Sequence, residues 1–401
     1  MKVESIRKEH EFRQSNLVKT SLLVKGMALL LLMFIIPLQE LMNKPLMDWG
    51  IGVVYSIQQI RTPSADNFFK VIFVLSDNVM LLSVFPAFYN LYDSRRAIKL
   101  IIMTSFSSYV WSFLALLYGG PRPYWVSEKV SGINCENGYG NPCGETFLGT
   151  VLLCTVAIEF FHERKLAYKS VAYTLTLLFL GLLSFSGLYL GEHFPHQLFL
   201  SLCYAFVYVT LCFAFDKKLL TFVMKSCFYY NRNRKNTVFW FIATLMMLLA
   251  IITIFDLVDN NRLVNIKWIK NATQNCHFKY QIGGAPSFYR SAWIFYNLGV
   301  VMGTMHTSKY LSQFWWHVDF WKRWVRTVVS VGLSLGIYFL FQLLETYDTT
   351  TDFTFHYVFP YFIIAYLYSG VLPVIFAKAK LALNVKPLVD SENELRSLLT
   401  L

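Results

Sequence analysis

Three short polar stretches stand out in a mostly apolar chain. They are Pro121-Arg122-Pro123-Tyr124-Trp125, Asn141-Pro142-Cys143-Gly144-Glu145, and the run from Ser186-Gly187 through Glu192-His193-Phe194-Pro195-His196-Gln197. An imidazole such as His193 can attack an electrophile or carry a proton, and a guanidinium such as Arg122 binds anionic oxygens. Glu145 and Glu192 can hold or move protons. Each residue also has a plainer reading. His193 taken alone is a hydrogen-bonding histidine at a helix end. Arg122 can pair with Glu145 or Glu192 as a structural ion pair, and His196 and Gln197 can pack against or cap the following helix. The chain has 7 cysteines and no Cys-x-x-Cys pair, so no metal or thioredoxin-type site is signalled and no cofactor is expected.

The elements that must position these residues are membrane-spanning helices. Of the 401 residues, 55% are hydrophobic and only 15% charged, against about 25% charged in an ordinary soluble domain. That excludes a soluble enzyme, and 17% aromatic residues exclude a disordered chain. A spanning helix needs about 20 apolar residues. The expected spans lie near Leu22–Leu38, Val71–Tyr89, Leu100–Tyr118, Phe147–Phe161, Val171–Tyr189, Leu198–Phe215, Val238–Phe255, Ala292–Met305, Val325–Leu344 and Tyr357–Ala377. The fold class is therefore all-α, a multi-pass helical membrane bundle. Its polar stretches fall at the ends of helices, where they can share one pocket.

The net charge of +12 reads as a topology signal and not as nucleic-acid binding, so the bilayer is the expected partner. Basic connecting segments (Arg95, Arg96 and Lys99; Arg164, Lys165 and Lys169; Lys217 to Lys235; Lys378, Lys380) alternate with neutral or acidic ones such as Glu345, Asp348 and Asp352. The basic set faces the cytosol, with both termini, and the three polar stretches face the lumen. The run Lys217 to Lys235 can also bind anionic lipid. Asn271-Ala272-Thr273 is a glycosylation sequon in an expected lumenal loop, so Asn271 is a candidate glycan acceptor. The expected division is a cytosolic tail over 1–21, an extra N-terminal helix over 22–46, a membrane domain over 47–377 and a cytosolic tail over 378–401.

The polar strings resemble those of the phosphatidic acid phosphatase type 2 superfamily, and within it the glucose-6-phosphatase family. The likeness rests on Arg122-Pro123-Tyr124-Trp125, on Cys135-Glu136-Asn137-Gly138 with Pro142 and Gly144 following, and on His193-Phe194-Pro195-His196-Gln197. It runs from about Met47 to about Ala377. The resemblance implies a superfamily core of packed helices in which one histidine attacks phosphorus, a second protonates the leaving alcohol, and a lysine with two arginines binds the phosphoryl oxygens.

This chain departs from that set. Arg122 matches the first arginine and His193 the nucleophile. Ala115 stands where the lysine belongs, Glu145 where the acid–base histidine belongs, and Gly187 where the second arginine belongs. Cys143 replaces a serine beside the phosphate, and Glu192 adds a carboxylate next to the nucleophile. A phosphate would thus meet one arginine and two carboxylates in place of three cations. Losing two charge-assisted hydrogen bonds at ~1.5–3 kcal/mol each costs ~10²–10⁴ in rate. The expected catalytic set is His193, Arg122 and Glu145, with Cys143, Gly144, Gly187, Glu192 and Ala115 lining the pocket.

Three functions follow. The first is a glucose-6-phosphatase-like protein with an impaired site that binds a ligand or a membrane-protein partner. The second is an active phosphomonoesterase on a sugar or lipid phosphate, with a phosphohistidine at His193. The third is a transporter or scaffold. Cys135, Cys143 and Cys276 fall on the oxidising lumenal side, where a Cys135–Cys143 or Cys135–Cys276 disulfide can form. The resemblance implies the endoplasmic reticulum. The tail Glu394-Leu395-Arg396-Ser397-Leu398-Leu399 resembles an acidic-dileucine sorting signal, which makes an endosomal or lysosomal membrane the alternative.

Overall fold

A computed structural model of the chain describes residues 41–74, 77–161, 165–215, 234–262, 264–276, 282–311, 317–346 and 348–383, with positions 37, 39 and 222. Most of the extra N-terminal helix, most of the basic run Lys217 to Lys235 and the dileucine tail lie outside these residues. The described residues are helical, with no strand among them and isolated bridges only at Gly120–Asn141 and Gly138–Gly283.

In chain order the helices are α1 (41–58), α2 (Pro63–Val74), α3 (Asn78–Leu91), α4 (Ser94–Tyr118), α5 (Pro123–Val126), α6 (Gly144–Phe161), α7 (Leu166–Tyr189) and α8 (Pro195–Ala214). They continue with α9 (Arg234–Asn261), α10 (Ile266–Asn275), α11 (Ala285–Tyr289), α12 (Trp293–Ser308), α13 (Phe320–Gln342) and α14 (Thr349–Lys378). Two π-helical turns, Thr354–Val358 and Leu367–Val371, interrupt α14.

Among the described residues, seven helices are long and apolar enough to cross a membrane: α4, α6, α7, α8, α9, α13 and α14. The expected span Val71–Tyr89 is a pair, α2 and α3, bent by 53°. The expected span Ala292–Met305 is α12, which has 16 residues. At 1.5 Å per residue it is about 24 Å long, short of a hydrocarbon core of about 30 Å. It is enclosed by protein instead, packed between α14 and α4. Gly303 allows this close crossing, since a Cβ there would lie 2.1 Å from Ser369 Oγ. Phe288, just before that span, is buried and packs between the rings of Phe255 and Phe353.

α4 is the central pillar. Its most apolar stretch is 72% buried inside the protein, against 11% for α9, which faces outward. Asp93 caps its start by accepting from the Arg95 N–H, and Gly119 ends it in the left-handed conformation at φ 53°. α6 packs on α4, α7 and α8, while α3 packs on α13. The end of α4, the start of α6, the α7–α8 turn and the start of α12 meet at one end of the bundle. α1 lies over that end, with Gly50 against the Phe194 ring and Gln58 bonded to Ser131 and Tyr189.

Candidate active site

Arg122 follows α4 and is held by Pro121 and Pro123. It is 3% exposed and its guanidinium bonds to protein groups. Its Nε donates to Gly138 O at 2.7 Å, Nη1 to Glu192 Oε2 at 2.8 Å, and Nη2 to Glu136 Oε2 at 3.2 Å. Burial alone would lower the Arg122 pKa, but Glu192 and then Glu136 outweigh it and hold the guanidinium above its ordinary value. Glu192 is wholly buried in the α7–α8 turn. Its second oxygen accepts the N–H groups of Asn134 and Cys135 at 3.2 and 3.0 Å. Burial pushes the Glu192 carboxyl upward and Arg122 pulls against that shift. All three of its donors address the carboxylate, which is the form these contacts define.

His193 lies at the same turn, 1% exposed. Its Nδ1 donates to Gly140 O at 2.8 Å, because a carbonyl can only accept. Nε2 then faces Glu145 Oε2 at 3.2 Å. Two bare lone pairs do not meet at that distance, so one proton lies between the imidazole and the carboxylate. Burial holds the His193 pKa below its ordinary value, and the Glu145 hydrogen bond works the other way.

Glu145, in the first turn of α6, is also buried. Its other oxygen accepts Arg290 Nη2 at 2.8 Å. Arg290 sits between α11 and α12 and lies over the Trp111 ring at 4.9 Å. Its Nη1 is buried without a hydrogen-bond partner among the described residues. Gly144 makes this approach possible: a Cβ there would be 2.8 Å from both Arg290 Nη1 and the Trp111 ring. Burial lowers the Arg290 pKa, but Glu145 and Glu136 outweigh it and raise it.

The structure thus brings Arg122, Glu145, Glu192 and His193 together, with Cys143 and Gly144 beside them. It corrects the expected charge count. A second arginine, Arg290, and a third carboxylate, Glu136, belong to the cluster. Arg122 pairs with Glu192 and Glu136, not with Glu145. Gly187 also lines this turn: its carbonyl accepts the N–H of Glu192 and of His193, and a Cβ there would stand 3.4 Å from the His193 ring. Ala115 packs in an apolar cluster with Trp111, Phe147, Leu148 and Tyr204. Gln197 links Phe194 N to Pro121 O, which caps α8 and ties two polar stretches together. His196 stacks on Phe194, and neither of its buried ring nitrogens has a hydrogen-bond partner among the described residues.

Of the two disulfides open from the sequence, the structure contains Cys135–Cys276, and Cys143 is a buried free thiol. Burial, and then the nearby Glu145, push the Cys143 thiol well up, away from the thiolate form that a nucleophile uses. Asn271 lies in α10, is 9% exposed, and its Nδ2 donates to Trp125 O at 3.1 Å. A glycan on that nitrogen requires this contact to be given up.

Residues 96–221 match the PAP2 superfamily. The match runs from α4 past α8 and takes in Arg122, Glu145, Glu192 and His193, while Arg290 lies beyond it. This segment of an all-helical bundle is therefore similar to the PAP2 superfamily over about a third of the chain. No curated protein and no solved structure matches the chain.

Proposed function

We propose that this is a glucose-6-phosphatase-like membrane protein whose phosphatase site is impaired, and that its inherited pocket binds a ligand or a membrane-protein partner. One observation carries the reading: Glu192 and Glu136 already occupy both terminal nitrogens of Arg122. A phosphoryl group would have to displace these carboxylates and then sit beside them. Each charge-assisted bond exchanged is worth ~1.5–3 kcal/mol, and like-charge repulsion adds to the cost. Glu145 likewise occupies Arg290 and His193. Glu145 can hold one shared proton, but it supplies no phosphate clamp. The charge pattern of the sequence favours a lumenal pocket, in the endoplasmic reticulum by resemblance or in an endosome or lysosome by the tail.

A second reading, an active phosphomonoesterase on a sugar or lipid phosphate, draws on two features. Arg290 Nη1 is a buried donor with no partner among the described residues, and the Gly140 carbonyl orients His193 so that Nε2 is the reactive nitrogen. The test is phosphate release by purified protein from glucose 6-phosphate, a lipid phosphate and an aryl phosphate, beside His193→Ala. Equal background rates from both proteins support the impaired site. Turnover that disappears in His193→Ala establishes the second reading.

A further inference from the structure

Two of the departures from the phosphatase pattern, Cys143 and Glu145, join His193 in a different constellation. Cys143 Sγ, Glu145 Oε2 and His193 Nε2 are all buried and lie within 4.8 Å of one another. Sγ is 3.7 Å from Oε2, and Nε2 is 3.2 Å from Oε2. Around a tetrahedral zinc ion, with bonds of about 2.3 Å to sulfur and about 2.0–2.2 Å to nitrogen and oxygen, those edges come to roughly 3.6 and 3.3 Å. Sequence spacing hid the set, because residues 143 and 145 lie at the start of α6 and residue 193 in the α7–α8 turn.

The surroundings of each ligand agree. A metal-bound histidine usually donates its other nitrogen to a carbonyl, and His193 Nδ1 donates to Gly140 O at 2.8 Å. The free oxygen of a bound carboxylate is usually held, and Glu145 Oε1 accepts from Arg290 at 2.8 Å. Cys143 Sγ accepts the Thr146 N–H at 3.4 Å. Charge also balances. The proton between His193 and Glu145 and the thiol proton of Cys143 leave, and one divalent cation takes their place.

From this geometry we infer that Cys143, Glu145 and His193 form a zinc site with one open coordination position. A mixed sulfur, nitrogen and oxygen set suits zinc over magnesium or calcium. The inference deepens the impaired-phosphatase reading and rests on it, since a His193 bound to metal does not attack phosphorus.

The test uses the full-length protein in detergent. Metal content is measured as purified, after chelation, and after titration of the chelated protein with Zn2+ and separately with Co2+. The expected result is about one zinc per chain, and a thiolate-to-cobalt charge-transfer band with the intense visible bands of a tetrahedral ion. Cys143→Ser should abolish the charge-transfer band and weaken zinc binding by at least about tenfold. Cys203→Ser, in α8 and away from the set, should retain both. Thermal unfolding of each variant shows that it is folded, and if Cys143→Ser does not fold, His193→Gln serves in its place. Failure of chelated wild type to take up either metal, or a cobalt spectrum unchanged by Cys143→Ser, overturns the metal site. Phosphate release assayed on the same samples separates the two failures. Absent metal without turnover rejects the zinc site alone, whereas turnover lost in His193→Ala rejects the impaired phosphatase as well.

Discussion

Arg290 Nη2 lies 2.8 Å from Glu145 Oε1, although the two residues are 145 positions apart. This pair supplies the pocket with a cation from outside the superfamily match and, in the same contact, neutralises it. Glu145 is 3% exposed, so Arg290 is the partner that makes its burial tolerable. Removing one member of a buried ion pair typically costs ~3–5 kcal/mol, because the other charge is stranded. Arg290→Met should lower the thermal midpoint strongly, and Arg290→Met with Glu145→Gln should recover most of the loss. Thermal unfolding in detergent measures both. Equal midpoints for wild type and Arg290→Met would show that the pair carries no weight.

Gly144→Ala should act on the same pair from the other side. The new Cβ would stand 2.8 Å from Arg290 Nη1 and from the Trp111 ring. Overpacking of this kind costs ~1–3 kcal/mol. Stability should fall by that amount in Gly144→Ala and by less when Arg290 is already Met. A double-mutant cycle on these two positions reads the coupling.

The Cys135–Cys276 disulfide spans 141 residues and ties the Glu136 loop to the end of α10. Closing so long a loop stabilises by up to ~5 kcal/mol in the chain-entropy picture. Cys135→Ser with Cys276→Ser should lower stability by ~2–5 kcal/mol. The wild type should change mobility on a gel when reduced, and the double variant should not.

Asn271 gives a prediction about modification. Its amide nitrogen is committed to Trp125 O. Treatment with an N-glycosidase should leave the mobility of the expressed protein unchanged. Asn271→Ala, which strands a buried acceptor, should cost ~1–3 kcal/mol. A mobility shift on deglycosylation, absent in Asn271→Gln, would contradict the packing of α10 against α5.

Part of this site was legible in the sequence. Arg122, Glu145, Glu192 and His193 announced themselves by their place in short strings at helix ends, and the structure brings those strings together. Glu192 was legible as one of two candidate partners for Arg122, with Glu145 the other, and the spacing could not choose between them. Arg290 was not legible. It sits between α11 and α12, and only the packing of Phe288 against Phe255 and Phe353 turns it into the pocket. The spans showed the same division. Long apolar runs gave α4, α6, α7, α8, α9, α13 and α14 directly, whereas hydropathy cannot tell a lipid-facing helix from one buried in protein. That is why α12, sheathed by α4 and α14, reads as a short span. Cys276 was one of two partners open to Cys135, and spacing alone could not choose between them.

Arg122 is neutralised from within by Glu192 and Glu136, and binding of orthovanadate tests the consequence without needing turnover. Vanadate mimics the five-coordinate phosphorus of phosphoryl transfer and requires only the clamp. It should fail to bind the wild-type protein at micromolar concentrations, read by calorimetry or by ⁵¹V resonance. Glu192→Gln with Glu136→Gln keeps one acceptor oxygen at each position and removes both charges, and should bind vanadate at least about tenfold more tightly, a gain of ~1.4 kcal/mol. Micromolar binding by the wild type, unimproved in the double variant, would show that the two carboxylates do not block the site.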